Sequence, residues 1–186
     1  MDPHADVAVR RASSGDAEAI AQLHADSWRR YYRGAYSDAF LDTDVAEDRL
    51  AVWTDRLITQ TGTSATILAE DDGALMGFVH VVFDDDREWG SLVDNLHVVH
   101  RRHRSGVGTR LLEEAARAVV ANRGGGLYLW VLEQNVNAQA FYQARGGCPV
   151  GRRQVLAPGG NPGRLDGIPC ALRYVWPDPA VLLNRR

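Results

Sequence analysis

The chain has no lysine: all 21 of its Lys+Arg side chains are arginines. That excludes a P-loop, whose lysine reaches the terminal phosphates, a Schiff-base lysine, and the strand lysine of a protein kinase. Only two cysteines occur, Cys148 and Cys170, too few for a disulfide framework. No run of about 18 apolar residues is present, so no membrane span is expected. The opening MDPHADVAVRR lacks the basic-then-apolar layout of a secretory signal. A large excess of one charge is missing too. The net charge is −3, which argues against a global electrostatic grip on nucleic acid. These absences lead to the expectation of a cytoplasmic protein with free thiols and neither a nucleic-acid nor a membrane partner.

What is present suits one folded domain. The chain has 186 residues, 45% hydrophobic and 24% charged, with 18 Gly and 7 Pro, within the usual size of a single core. No internal repeat is visible. The reading places a tail at 1–6, one domain over 7–176, and a second tail at 177–186 that frays.

Alternation over 7–11 predicts a first strand. Ser13 and Asp16 stand at capping-box spacing and open a helix whose apolar stripe is Ile20, Leu23, Trp28 and Tyr31. A second helix is predicted from about Thr43 to Gln60, with Ala46, Leu50, Trp53 and Leu57 facing inward. The period then switches. Strands at 65–70 and 74–83 flank the turn Asp71-Asp72-Gly73. An acidic loop follows at 84–88, then a strand at 91–99, a basic loop and a helix from Gly106 to Asn122. Further elements are a strand at 127–132, a helix at 138–145 and a strand pair near 150–156 and 170–176. Helices between strands imply crossovers and the 65–83 hairpin implies antiparallel pairing. The expected fold is α/β, a mixed central sheet with helices on both faces.

The stretch NLHVVHRRHRSGVGTRLLEEA carries the most chemistry. A strand ends, a basic loop follows, and Gly106-Val107-Gly108 opens a helix. A helix start offers unpaired N–H groups and the positive end of the dipole, and glycines let the backbone approach a phosphate. Arg102, Arg104 and Arg110 add positive charge. The pattern reads as a diphosphate site; the alternative is a glycine-containing connection with solvated arginines. A dinucleotide fingerprint fails, because Leu111 stands where its third glycine belongs.

His103-Arg104-Ser105-Gly106-Val107-Gly108 resembles the acyl-CoA pyrophosphate motif of the GNAT acetyltransferases, Arg/Gln-x-x-Gly-x-Gly/Ala after a strand. His103 replaces the usual first residue, and Arg104 stands where many members carry an extra glycine. LWVLEQNVNAQAFYQARGG resembles the later family motif Asn-x-x-Ala-x-x-Phe-Tyr-x-x-x-Gly, with Asn135, Ala138, Phe141, Tyr142 and Gly146 in register and Gly147 in place of a phenylalanine. SWRRYYRG is similar to a segment of many bacterial members. The resemblance spans about 7–176.

It implies a GNAT-like acyl-CoA-binding fold and an N-acetyltransferase using acetyl-CoA as co-substrate, without a metal. The acceptor is a primary amine on a small molecule or a peptide. The family's habits also include homodimers. The diphosphate would sit on His103, Arg104, Ser105, Gly106, Val107, Gly108 and Thr109, and pantetheine along the backbone of Leu96, His97 and Val98, with Asn135 meeting a pantetheine amide. Asn137 is read as the helix N-cap, which leaves Asn135 for the ligand.

Tyr142 would be both a cofactor contact and the general acid, since an ordinary tyrosine is protonated at neutral pH. Phe141, pointing elsewhere on the helix, takes the core role. Alternation puts Leu92, Asp94, Leu96 and Val98 on one face, making Asp94 the polar exception and a candidate base and acceptor contact, with Glu88 weaker and water a further option. Tyr32 and Tyr36 lie off the helix stripe and would line the acceptor pocket. His97, His100 and His103 leave a strand for a loop among arginines, a poor arrangement for zinc. The residues leave two other readings open: a catalytically inactive acyl-CoA-binding sensor or regulatory module, and a nucleic-acid binder using Arg101, Arg102, Arg104 and Arg110.

Overall fold

The computed structural model describes residues 7–59 and 61–184; the expected tail at 1–6 and the last two residues lie outside this range. Seven strands form one sheet in the order β1-β2-β3-β4-β5-β7-β6. They are β1 (Ala8–Arg11), β2 (Ser64–Asp71), β3 (Ala74–Asp86), β4 (Gly90–Val98), β5 (Leu127–Leu132), β6 (Cys148–Gln154) and β7 (Cys170–Trp176). Four helices accompany them: α1 (Ala17–Tyr31), α2 (Val45–Ile58), α3 (Val107–Ala121) and α4 (Val136–Ala144). β4 and β5 pair in parallel, and the other neighbours are antiparallel. The element order and mixed sheet are those the sequence predicts.

The β2–β3 hairpin turns on Asp72 and Gly73, at φ +49° and +76°. Two left-handed residues in succession suit the right-handed twist of the flanking strands, and Asp-Gly adopts them at low cost. α1 and α2 cover one face, burying Ile20, Leu23, Trp53 and Leu57 against Leu68 and Phe78. α3 covers the other, packing Leu111, Leu112, Ala115 and Val119 on Val79, Val81, Val93 and Leu129.

Four expectations need correction. The inward row of α2 is Val45, Arg49, Trp53 and Leu57, so Ala46 and Leu50 face solvent. Arg49 misled the pattern: its guanidinium lies over the Trp28 ring at 4.3 Å and bonds Asp48, which lets a charged side chain occupy an inward position. Tyr31, assigned to the α1 stripe, is only half-buried, because its hydroxyl reaches out to His100. The acidic stretch is not all loop, since β3 runs through Asp86. The C-terminal residues are not a frayed tail: the Asp178 side chain accepts the Ala180 N–H, capping a short turn at Pro179–Leu182, and Leu182 is buried in the core.

The feature that shapes the site is a β-bulge. Val81 pairs with Val93 and His80 with Asn95, so Asp94 is an extra residue in β4. The bulge reverses the alternation. Val93 before it and Leu96 and Val98 after it all pack on the α3 side, while Asp94 and His97 make their contacts on the α1–α2 side. Asp94 therefore does not share a face with Leu96 and Val98.

Candidate active site

β4 and β5 pair only from Ser91–Leu127 to Val93–Leu129. Beyond Val93 the two strands part. Residues 95–98 of β4 keep their pairing to β3, and 130–132 of β5 keep theirs to β7, but neither pairs with the other. The parted edges line a cleft with unpaired main-chain groups, a template for an extended ligand.

The N-terminus of α3 lies at the end of this cleft. Gly106, its N-cap, is left-handed at φ +85°, and the first backbone bond into the helix runs from Arg110 N–H to the Gly106 carbonyl. The preceding amides of Val107, Gly108 and Thr109 are the orphan donors of the first turn. Gly108 faces the Phe141 ring and Val98, and a Cβ there would stand 3.5 Å from Phe141. The helix start, the β4 edge and α4 thus meet at one place. Val107 is buried in the core and anchors the turn. Ser105 donates its hydroxyl to the Arg102 carbonyl at 2.6 Å, and Arg102 pairs with Asp71. Arg104 is exposed, at φ +62°. His103 donates Nε2–H to the Val98 carbonyl at 3.1 Å and stacks on Tyr31, whose hydroxyl meets His100 Nδ1 at 2.7 Å. His97 turns away from both: its Nδ1 meets the Ser27 hydroxyl at 2.8 Å, and burial pushes its imidazole down to about 3. Among the described residues, no group of three or more His, Cys, Asp or Glu is placed to hold a metal ion.

Two details of the later motif also differ from expectation. α4 starts at Val136, so Asn135 is the N-cap; its Oδ1 accepts the Ala138 N–H at 3.2 Å, and Asn137 is inside the helix. The cap uses the oxygen of the Asn135 carboxamide and leaves its NH2 for another acceptor. Tyr142 is more buried than Phe141. Its ring sits against Phe141, Tyr174 and Trp176, and burial followed by the neighbouring Tyr32 raises its phenol above the ordinary tyrosine range. Phe141, half-buried, faces the α3 N-terminus instead of filling the core.

On the α1–α2 side, Tyr32 stacks on Trp28 at 5.3 Å and lies 5.1 Å from Tyr36. Burial, and then Asp94, push the Tyr32 phenol up to about 12, and burial raises Tyr36 further. Asp94 meets Arg56 at 2.8 Å and accepts the Asn95 amide at 2.6 Å. Tyr32 thus stands between the other two candidates, feeling Asp94 on one side and acting on Tyr142 on the other. Glu88 is exposed in the β3–β4 turn, at the end where β4 and β5 are still paired, and does not join them.

Sequence reasoning missed the arginine–aromatic group on this face of the sheet. Arg153 lies 4.0 Å and Arg173 4.6 Å from the centre of the Trp130 ring, and Arg173 lies 4.7 Å from that of Trp89. The alternation of Tyr128 and Trp130 was a signal for it, but neighbours across strands depend on a strand order that the sequence does not state.

Residues 19–147 match the model of the acetyltransferase (GNAT) family, and the chain belongs to that family. It is 26% identical over 141 residues to the uncharacterized N-acetyltransferase YuaI of Bacillus subtilis, covering 74% of this chain and 78% of the relative. The fold is similar to that of the PaiA N-acetyltransferase of Thermoplasma acidophilum in complex with coenzyme A, with a TM-score of 0.68, 17% identity, and coverage of 92% of this chain and 99% of that one. A GCN5-related N-acetyltransferase from Rhodopseudomonas palustris is similar with a TM-score of 0.71, 20% identity, and coverage of 92% and 96%.

Proposed function

We propose that the protein transfers the acetyl group of acetyl-CoA to a primary amine by direct attack. The observation that carries this reading is the parting of β4 from β5 after Val93, with the cleft ending on the unpaired amides of α3. Pantetheine laid along Leu96–Val98 would restore rungs that β5 does not supply. The amides from Gly106 to Thr109 and the nearby Arg104 suit the diphosphate. The coenzyme A complex of the PaiA structure supports this choice of ligand.

In the reaction the amine nitrogen bonds to the thioester carbonyl carbon, and a backbone N–H near Val98 holds the oxyanion. The C–S bond then breaks. The coenzyme A thiolate takes the phenolic proton of Tyr142, and the proton lost by the amine passes to Asp94 or to water. The Tyr142 phenol stays protonated across the physiological range, as a general acid must, although burial makes it a weaker acid than a free tyrosine, so the proton moves only as the thiolate departs. The bulge turns Asp94 toward the tyrosines rather than into the α3 core, which suits a group that meets the acceptor.

Acetyl-CoA at about 100 times its Kd should stabilise the protein by about 2.7 kcal/mol, read as a thermal shift that NAD and ATP do not give. Tyr142→Phe should lower kcat by about 100-fold or more with little change in the KM for acetyl-CoA. Asn135→Asp preserves the cap acceptor and removes the amide donor, so it should raise that KM while leaving the melting temperature near wild type. Asn135→Ala should do both, losing about 1 kcal/mol of stability with the cap. Full turnover in Tyr142→Phe removes that residue from the mechanism, and no shift with acetyl-CoA overturns the reading as a whole.

A further inference from the structure

Asp94 and Trp130 are the first residues of β4 and β5 past their last shared rung, Val93–Leu129. Both stand on the α1–α2 face. Asp94 meets Arg56 of α2 there, and Trp130 falls between Tyr128 and Leu132, the latter packed with Trp28, Tyr36 and Phe40. Trp130 therefore forms the β5 wall of the cleft on the side where an acceptor would enter.

That wall carries two positive charges. Arg173 stands directly across from Trp130 in β7, and Arg153 comes from β6, beyond it. Both guanidiniums lie against the Trp130 ring. Neither forms an ion pair with a carboxylate among the described residues, although acids are near. Asp85 accepts the Tyr128 hydroxyl, Asp86 accepts the N–H groups of Glu88 and Trp89, and Asp94 is engaged by Arg56 and Asn95. The Arg173 Nε is buried without a hydrogen-bond partner. A buried donor without a partner costs free energy, and two like charges on one ring repel. Lost hydration lowers the Arg153 guanidinium from its ordinary value, Arg173 adding to the fall while Tyr128, Asp85 and Asp94 oppose it. A planar anion would relieve all three, since stacked guanidiniums present their forked edges to carboxylates.

We propose that Arg153 and Arg173, stacked on Trp130, form an anion subsite, so that the acceptor is an amine that also bears a carboxylate. The subsite rests on the acetyltransferase reading and narrows it. The amine lies toward Asp94 and Tyr142 and the carboxylate toward the arginines. Polyamines, carrying only positive charge, are disfavoured on the same wall.

The test measures thiol release from acetyl-CoA with the common α-amino acids, β-alanine and γ-aminobutyrate, each against its own primary amide. Spermidine and phosphoethanolamine complete the panel. At least one amino acid should exceed its amide in kcat/KM by about tenfold or more, the worth of a hydrogen bond to a charged group. Arg153→Gln should collapse that ratio toward one, mainly through the KM of the acid, and Arg153→Lys should restore part of it. Arg173→Gln should act alike; should it not fold, the exposed Arg153 carries the test. Equal rates for acid and amide, an unchanged ratio in Arg153→Gln, or spermidine as the best acceptor would overturn the proposal. Phosphoethanolamine outrunning every amino acid would overturn the assignment to carboxylate. Binding of acetyl-CoA is read separately by thermal shift. Its presence without turnover of any amino acid sinks the subsite alone, whereas its absence sinks the acetyltransferase reading and the subsite with it.

Discussion

Arg104 holds a left-handed backbone at φ +62° in the loop before α3. A side chain with a Cβ is strained there by roughly 1–2 kcal/mol, and glycine is not. This gives a physical sense to the departure from the family pattern, in which many members have glycine at this place. The chain keeps a strained backbone and gains a cation beside the helix start. Arg104→Gly should therefore raise the melting temperature by about 2 °C, the gain from strain relief being partly offset by the flexibility of glycine in the unfolded chain. The same variant should weaken acetyl-CoA binding in a titration. A lower melting temperature would mean that the side chain stabilises the loop by more than its backbone costs. A further departure, Gly147, has a steric reason: a Cβ there would meet the buried Trp176 ring at 2.7 Å. The indole, which donates to the Arg145 carbonyl at 3.1 Å, occupies the space next to that backbone.

At the scale of elements, the turn at Pro179–Leu182 packs beneath α3 and inserts Leu182 into the same core as Leu111 and Val119. Leu182→Ala should cost about 2–5 kcal/mol, read as a lower denaturation midpoint in urea with the slope unchanged. An unaltered midpoint would mean that the turn is frayed in solution. This element also marks the limit of sequence reading. The type and order of the strands and helices were legible because periods of 3.6 and 2 run through them, as did the Asp72–Gly73 turn and the Gly106 helix start. Leu182 was not, because the four apolar residues after Pro179 carry no period. The Asp94 bulge was not either: an inserted residue leaves the alternating string intact while reversing which face its second half presents. Asn137 reads as the cap of a helix from 138, but α4 starts two residues earlier at Val136 and Asn135 caps it. The pairing of Arg153 and Arg173 on one ring depends on β7 lying between β5 and β6.

At the scale of the molecule, three histidines are buried between the sheet and the helices α1 and α2. His24 accepts the Trp53 indole N–H at 3.0 Å, His80 meets Thr66 at 2.8 Å, and His97 meets Ser27. Burial pushes His80 down to about 4, His97 to about 3 and His24 well below its ordinary value. The unfolded chain takes up protons on these rings near pH 6.5, where the folded protein binds none. Stability is thus complete above that pH and is lost as pH falls toward the folded values, with a slope of about 1.4 kcal/mol per pH unit for each ring. The melting temperature should fall markedly between pH 7.5 and 5.5, and His80→Gln should flatten the fall. A melting temperature constant over that range would mean that the imidazoles are charged in the fold.

The short pairing of β4 with β5 reaches beyond the reaction. Four strands lie on one side of that seam and three on the other, like the two leaves of a book, and three rungs near one end are the spine. The sheet is strongest within each leaf and weakest along the line between them. On the proposed reading, a cofactor laid in the opening would act as a staple through both leaves, holding them together past the last shared rung.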